Sequence, residues 1–243
     1  DQDYYFEYGR VLSIGSFERY FAVNLGQPAI MAISIWLFSS DTFSEILPIL
    51  VLVNGYLFGG LSVILVGRLA YRLAGSFRAA WLAAALWAVM PWVIWLVSLV
   101  HPSRTWLQAP YVPGVAWLQG IPDGHAVFFA LMGLYFLVTW LDTDQPALLV
   151  ASGVALGVMM LFRFQMVSIL LLALLVIVIE RRTISCIGLA ISAIVAYLPQ
   201  VIYNHISSSL AGVSSIIAWL PGYLYSGLVD PLSNEIYWRN PEF

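Results

Sequence analysis

Six apolar stretches, at residues 46–67, 79–100, 124–141, 146–162, 164–179 and 184–203, constrain this chain more than any other feature. At about 1.5 Å of rise per helical residue, runs of this size approach or match a hydrocarbon core of about 30 Å. Inside lipid every backbone N–H and C=O needs a partner from the protein itself, which leaves helices or closed barrels. The runs are continuous rather than alternating, so the expectation is an all-α integral membrane protein of about six transmembrane helices. Composition agrees: 61% of the 243 residues are hydrophobic and 9% charged, with a mean hydropathy of +0.88.

The same composition excludes several function classes. Net charge is −3 and every basic residue is a dispersed arginine, so a nucleic-acid partner is not expected. The single cysteine, Cys186, lies in an apolar run and reads as a small core residue, with no disulfide framework. No zinc, P-loop or dinucleotide spacing occurs. The three histidines raise haem or chlorophyll ligation, but His101, His125 and His205 fall at span ends or in loops. The chain opens at Asp1 without an initiator Met or leader, which reads as an internal piece or a processed chain.

Ahead of the spans, Tyr4, Tyr5, Tyr8, Val11 and Leu12 form an apolar stripe at helical spacing, with Asp3, Glu7 and Arg10 opposite. This predicts an amphipathic helix at the headgroup level, with Glu7 paired to Arg10 and Asp1 at the membrane edge. After Gly26-Gln27-Pro28 a short apolar run, 29–38, is too short to cross and is expected to be a second juxtamembrane helix. Residues 1–45 then form an outer-face loop, 46–203 a helical bundle and 204–243 an interfacial tail. The positive-inside rule puts Arg68, Arg72, Arg78, Arg181 and Arg182 on the cytoplasmic side. Asp1, Asp3, Glu7, Asp123, His125, Arg163 and His205 gather at the opposite face. Two small-residue pairs, Gly55-xxx-Gly59 and Gly153-xxx-Gly157, are expected to admit neighbouring helices.

That outer cluster holds the candidates for chemistry. An aspartate at the membrane edge is able to take a proton from an acceptor hydroxyl, or to hold a divalent metal with a second acid, and Asp1 with Asp123 is the pair available. On position alone each reads first as a helix cap. Arg163 interrupts an apolar run and either snorkels or binds an anion through its planar fork.

The order of several motifs resembles the GT-C superfamily of membrane glycosyltransferases, in particular family 39-like proteins that use a polyprenyl-phosphate sugar. Those motifs are Asp1-Gln2-Asp3-Tyr4-Tyr5, Gly26-Gln27-Pro28, the Arg68-x3-Arg72-Leu73-x-Gly75 turn, Pro122-Asp123, Leu161-Phe162-Arg163-Phe164 and Leu198-Pro199-x3-Tyr203-Asn204. The resemblance implies a lipid-linked sugar donor whose phosphate docks near the outer surface of a bacterial-type inner membrane. It implies Asp1 and Asp123 as catalytic acids or metal ligands, and Asp3, Tyr5, His125 and Arg163 as substrate contacts. Gln2 stands where many relatives have glutamate, lysines common near the donor site are absent, and the span before the loop, the later spans and any soluble C-terminal domain are missing. The leading expectation is therefore a glycosyltransferase or a fragment of one. The alternative is a non-catalytic GT-C-like subunit of a larger membrane complex, and a transporter is a third class, disfavoured by the lack of an inverted repeat or a mid-span acid.

Overall fold

The computed structural model describes residues 2–16, 24–100 and 123–210, with side chains described except at 2–4, 94–95, 97–100 and 207–210. The described residues are helical throughout, joined by short turns. In order they are α1 (Gln2–Ser13), α2 (Gly26–Phe38), α3 (Phe43–Leu50), a π-helical segment (Val51–Gly59), α4 (Gly60–Ala74), α5 (Phe77–Val100), α6 (Asp123–Thr143), α7 (Pro146–Phe162), a 3-10 turn (Phe164–Met166), α8 (Val167–Ile179) and α9 (Thr183–Leu210). Among the described residues three continuous helices meet both the length and the apolarity needed to cross a membrane: Phe43–Ala74, Asp123–Thr143 and Thr183–Ile206. The other expected spans correspond to α5, which runs the full Phe77–Val100, and to the shorter apolar helices Pro146–Phe162 and Phe164–Ile179. α9 runs past residue 203 to Leu210, and the rest of the expected interfacial tail lies outside the described residues.

The turns follow from local chemistry. Gly75 closes α4 in the left-handed region (φ 61°), its N–H donating to the Tyr71 carbonyl at 2.8 Å. Asp144 closes α6 the same way at φ 58°, and Pro146 starts α7 where its missing N–H costs nothing. The α6–α7 link is thus two residues long and folds the pair back as an antiparallel hairpin.

The core is built from α6, α7 and α9. Leu137, Leu156, Met159, Ile177, Leu189 and Ala193 are buried there, with α8 closing one side. Without a hydrophobic drive between helices in lipid, association rests on close backbone approach. Gly133 of α6 faces the Leu156 side chain and the Ser152 carbonyl, and Ser152 Oγ donates to the Gly133 carbonyl at 2.8 Å. On its other face α7 presents Gly153 and Gly157 to α9, where a methyl would fall on Ser192 and on the Ala193 carbonyl. The Gly153-xxx-Gly157 face therefore seats a helix of the same chain. Outward stripes such as Ile187, Ile191 and Ile194 are exposed, as suits side chains bathed in lipid.

The bundle has two polar ends. At one, Arg72 donates to Asp142 at 2.7 Å, and Arg182 pairs with Asp144 and lies over the Trp140 ring at 5.1 Å. At the other, α1 and α2 pack through Tyr5, Phe6, Met31 and Ile35 onto Ile46 and Leu50 of α3. The buried stripe of α1 is Tyr5, Phe6 and Gly9, whereas Tyr8, Val11 and Leu12 stay half-exposed. Gly9 decides this phase, because a methyl there would collide with Met31 Cβ. The expected Glu7–Arg10 pair forms at 2.9 Å.

Substituting Gly157→Val should destabilise the protein by about 1–3 kcal/mol through overpacking, read as a lower Tm in detergent. Gly60→Ala, where a methyl meets nothing within 4 Å, should leave Tm unchanged or raise it. Equal effects at the two positions would disprove the close α7–α9 seat.

Candidate functional site

The α6–α7 hairpin brings the first residue of α6 beside the residue that closes α7. Arg163 leaves α7 with extended backbone (φ −144°, ψ 93°), its N–H still donating to the Met159 carbonyl at 3.0 Å. Its side chain turns to Asp123: Nε donates to Oδ1 at 3.0 Å and Nη2 to Oδ2 at 2.6 Å. Two parallel charge-assisted bonds hold the guanidinium plane in one orientation. The side chains are 34% and 45% exposed, so the pair sits at an interface rather than in the core.

Tyr5 of α1 lies within electrostatic range of both partners. Burial pushes its phenol above the ordinary tyrosine value, partly opposed by the Arg163 guanidinium and reinforced by Asp123 and Tyr8. The hydroxyl therefore stays protonated at physiological pH and keeps a proton to donate. The structure thus brings Tyr5, Asp123 and Arg163, from three distant parts of the sequence, to one end of the bundle.

His125 joins the same region in a different way. It is 1% exposed, its ring stacked on Phe162 at 4.9 Å and met edge-on by Phe58 at 5.0 Å. Phe128 and Phe129 complete an aromatic plug under the ion pair. The histidine is packed within this plug and offers almost no surface. Asp1 lies outside the described residues, and of Asp3 only the backbone, within α1, is described.

A metal at Asp123 finds no support among the described residues, and Asp1, the other acid of the expected pair, lies outside them. Both carboxylate oxygens accept from Arg163, and no group of three metal-ligating side chains occurs among the described residues.

A second polar layer was not singled out from sequence. Asn24 Nδ2 donates to the Met160 carbonyl at 2.7 Å, and the Leu25 N–H donates to Gln200 Oε1 at 2.7 Å. Gln200 Nε2 in turn donates to Asn204 Oδ1 at 2.9 Å. These bonds tie the start of α2 to α7 and α9, while Gly26 lies against the Phe162 ring and the Leu161 carbonyl. Gln27, fully buried in the first turn of α2, meets no hydrogen-bond partner for either amide atom among the described residues. The signal was a polar residue inside or beside an apolar run, expensive in lipid unless it does something. It was present in Gly26-Gln27-Pro28 and in Leu198 to Asn204.

Comparison with known proteins adds one finding. Residues 103–203, less than half of the chain, match the family described as dolichyl-phosphate-mannose-protein mannosyltransferase. This bears out the resemblance to GT-C-type membrane glycosyltransferases over a segment that contains Asp123, His125, Arg163 and Tyr203. No curated protein and no solved structure matches the chain at a significant level.

A double-mutant cycle on Asp123→Asn and Arg163→Gln should give a coupling of about 1 kcal/mol, as expected for a half-exposed bidentate pair, measured by thermal unfolding. Additive effects would mean that the pair does not hold α6 to α7. Gln27→Met should raise Tm, since it removes a buried amide whose unmet hydrogen bonds cost about 1–3 kcal/mol. A marked loss of stability would mean that the amide is satisfied in solution.

Proposed function

We propose that the chain belongs to an integral membrane glycosyltransferase that moves a sugar from a polyprenyl-phosphate donor to an acceptor hydroxyl at the outer face of a bacterial-type inner membrane. The observation that carries this reading is the Asp123–Arg163 pair, set bidentately at one bundle end inside the family-matched segment. A lipid phosphate rides at headgroup level, where a half-exposed, orientation-locked guanidinium is well suited to meet it.

In this scheme Arg163 holds the donor phosphate and Asp123 positions Arg163. The acceptor oxygen attacks the anomeric carbon, and the bond from that carbon to the phosphate oxygen breaks. Polyprenyl phosphate departs with its charge balanced by the guanidinium, whose stabilising effect grows as charge develops on the leaving oxygen. The acceptor proton passes to a carboxylate, the role assigned to Asp1, with Asp3 lining the acceptor side. The protonated Tyr5 hydroxyl is a donor available to the phosphate or to the sugar. Aromatic packing of His125 with Phe58, Phe128 and Phe162 gives the site a floor.

The rival reading is a non-catalytic subunit in a larger assembly, for which small-residue faces open to other subunits would supply the contacts. Gly153 and Gly157 find their neighbour within the chain.

The test uses the full-length protein in proteoliposomes with labelled polyprenyl-phosphate sugar. Arg163→Gln should raise the donor KM about tenfold to a hundredfold, the worth of hydrogen bonds to a charged group. Asp1→Asn should lower kcat by about 10²- to 10⁴-fold, the scale of general-base catalysis. Unchanged donor KM in the first variant and unchanged kcat in the second would together sink the assignment.

A further inference from the structure

The end of the bundle opposite the Asp123–Arg163 pair holds a cavity of about 980 Å³ between α4, α5 and α6. It is near the upper end of small-ligand sites, which run to roughly 1,000 Å³. Its walls divide by chemistry. Along α4 and α5 they are apolar, with Val63, Ile64, Ala80 and Ala84 in line. Toward the helix ends Arg68, Tyr71 and Arg72 enter it.

The two arginines are differently placed. Arg72 is fixed: Nη1 donates to Asp142 of α6 at 2.7 Å, and its guanidinium lies 6.0 Å from the Tyr135 ring. Arg68, one helical turn earlier on α4, is exposed and has no ion-pair partner among the described residues. With one acid set against two arginines the polar mouth carries net positive charge. Trp81, 66% exposed on α5, stands beside it, the type of side chain that favours the membrane–water boundary.

From this arrangement we infer that the cavity is a binding site for an anionic phospholipid of the leaflet at the arginine-rich end, its phosphodiester on Arg68 and Arg72 and an acyl chain along the wall between α4 and α5. The positive-inside rule makes that leaflet the cytoplasmic one. The occupant's chemistry follows from the split lining. A free anion would use the arginines and leave the apolar wall in water, whereas a neutral lipid would leave the charge of Arg68 unanswered. Basic pockets between membrane helices on the cytoplasmic side take acidic head groups in this manner. The site is independent of the glycosyl-transfer reading, because it lies at the other end of the helices and shares no residue with it.

The experiment measures Tm and lipid retention by native mass spectrometry, on the full-length protein in neutral detergent, with phosphatidylglycerol, phosphatidylcholine or inorganic phosphate added. Phosphatidylglycerol should bind and raise Tm, while the other two should not. Arg68→Gln should weaken that binding about fivefold, the worth of one arginine near an anionic head group, and Arg68→Lys should restore most of it. Ala84→Phe should weaken it by filling the wall. Arg68 is exposed, so its variants keep the test interpretable if Ala84→Phe fails to fold. Equal shifts with phosphatidylcholine, displacement of phosphatidylglycerol by millimolar phosphate, or unchanged affinity in Arg68→Gln would each overturn the inference.

Discussion

The close approach of three backbones, α6 to α7 and α7 to α9, is the constraint from which the rest of the molecule follows. Lipid tails are as apolar as leucine, so two membrane helices gain little by merely touching. What holds them is contact too tight for water or lipid to replace, and glycine at 133, 153 and 157 makes it available. Ser152 and Ser192 take part without exposing a polar group, since each hydroxyl donates to a neighbouring carbonyl. Once α6 and α7 are clamped as a hairpin, Asp123 and Arg163 have no choice but to be neighbours. The ion pair is a product of the clamp rather than its cause.

The polar layer at that end then decides where α1 and α2 go. A juxtamembrane helix has no span of its own to anchor it. Here the first turn of α2 is drawn into the bundle by Asn24, Gln200 and the Met160 carbonyl. Its length then carries Met31 and Ile35 out to meet Tyr5 and Phe6. The chain thus spends hydrogen bonds, scarce in such an apolar sequence, where the elements least able to hold themselves have to be placed.

Much of the helical frame could be read from the residues. Pro146 to Phe162 begins and ends where apolar continuity breaks, Gly75 and Asp144 mark turns, and Glu7 finds Arg10 as spacing predicts. What could not be read was which surface each special residue would meet. A small-residue pair announces close packing but does not name its partner, so Gly153 and Gly157 were equally compatible with another subunit. Gly9 shifted the buried stripe of α1 because its lack of a side chain, not its hydrophobicity, admits α2. Of the candidate site, the residues at span ends were legible because ionisable groups are rare in lipid. The Asp123–Arg163 pairing was not, since forty residues separate the two, and neither was the buried amide layer, whose polar atoms look unremarkable until their depth is known.

The π-helical segment between α3 and α4 has a mechanical consequence. Its i→i+5 bonding makes each turn wider than the α-helical turns on either side. The upper part of this long helix, with Ile46 and Leu50 against α2, and the lower part, with Arg72 against Asp142, are therefore out of angular step with a uniform α-helix. Phe58, within the widened stretch, reaches the plug around His125. A rewinding of this stretch into regular α-helix would turn the two parts against each other, because every residue in it would then sweep a larger angle about the axis. The span is built like a torsion joint, through which a twist at one membrane surface would be felt at the other.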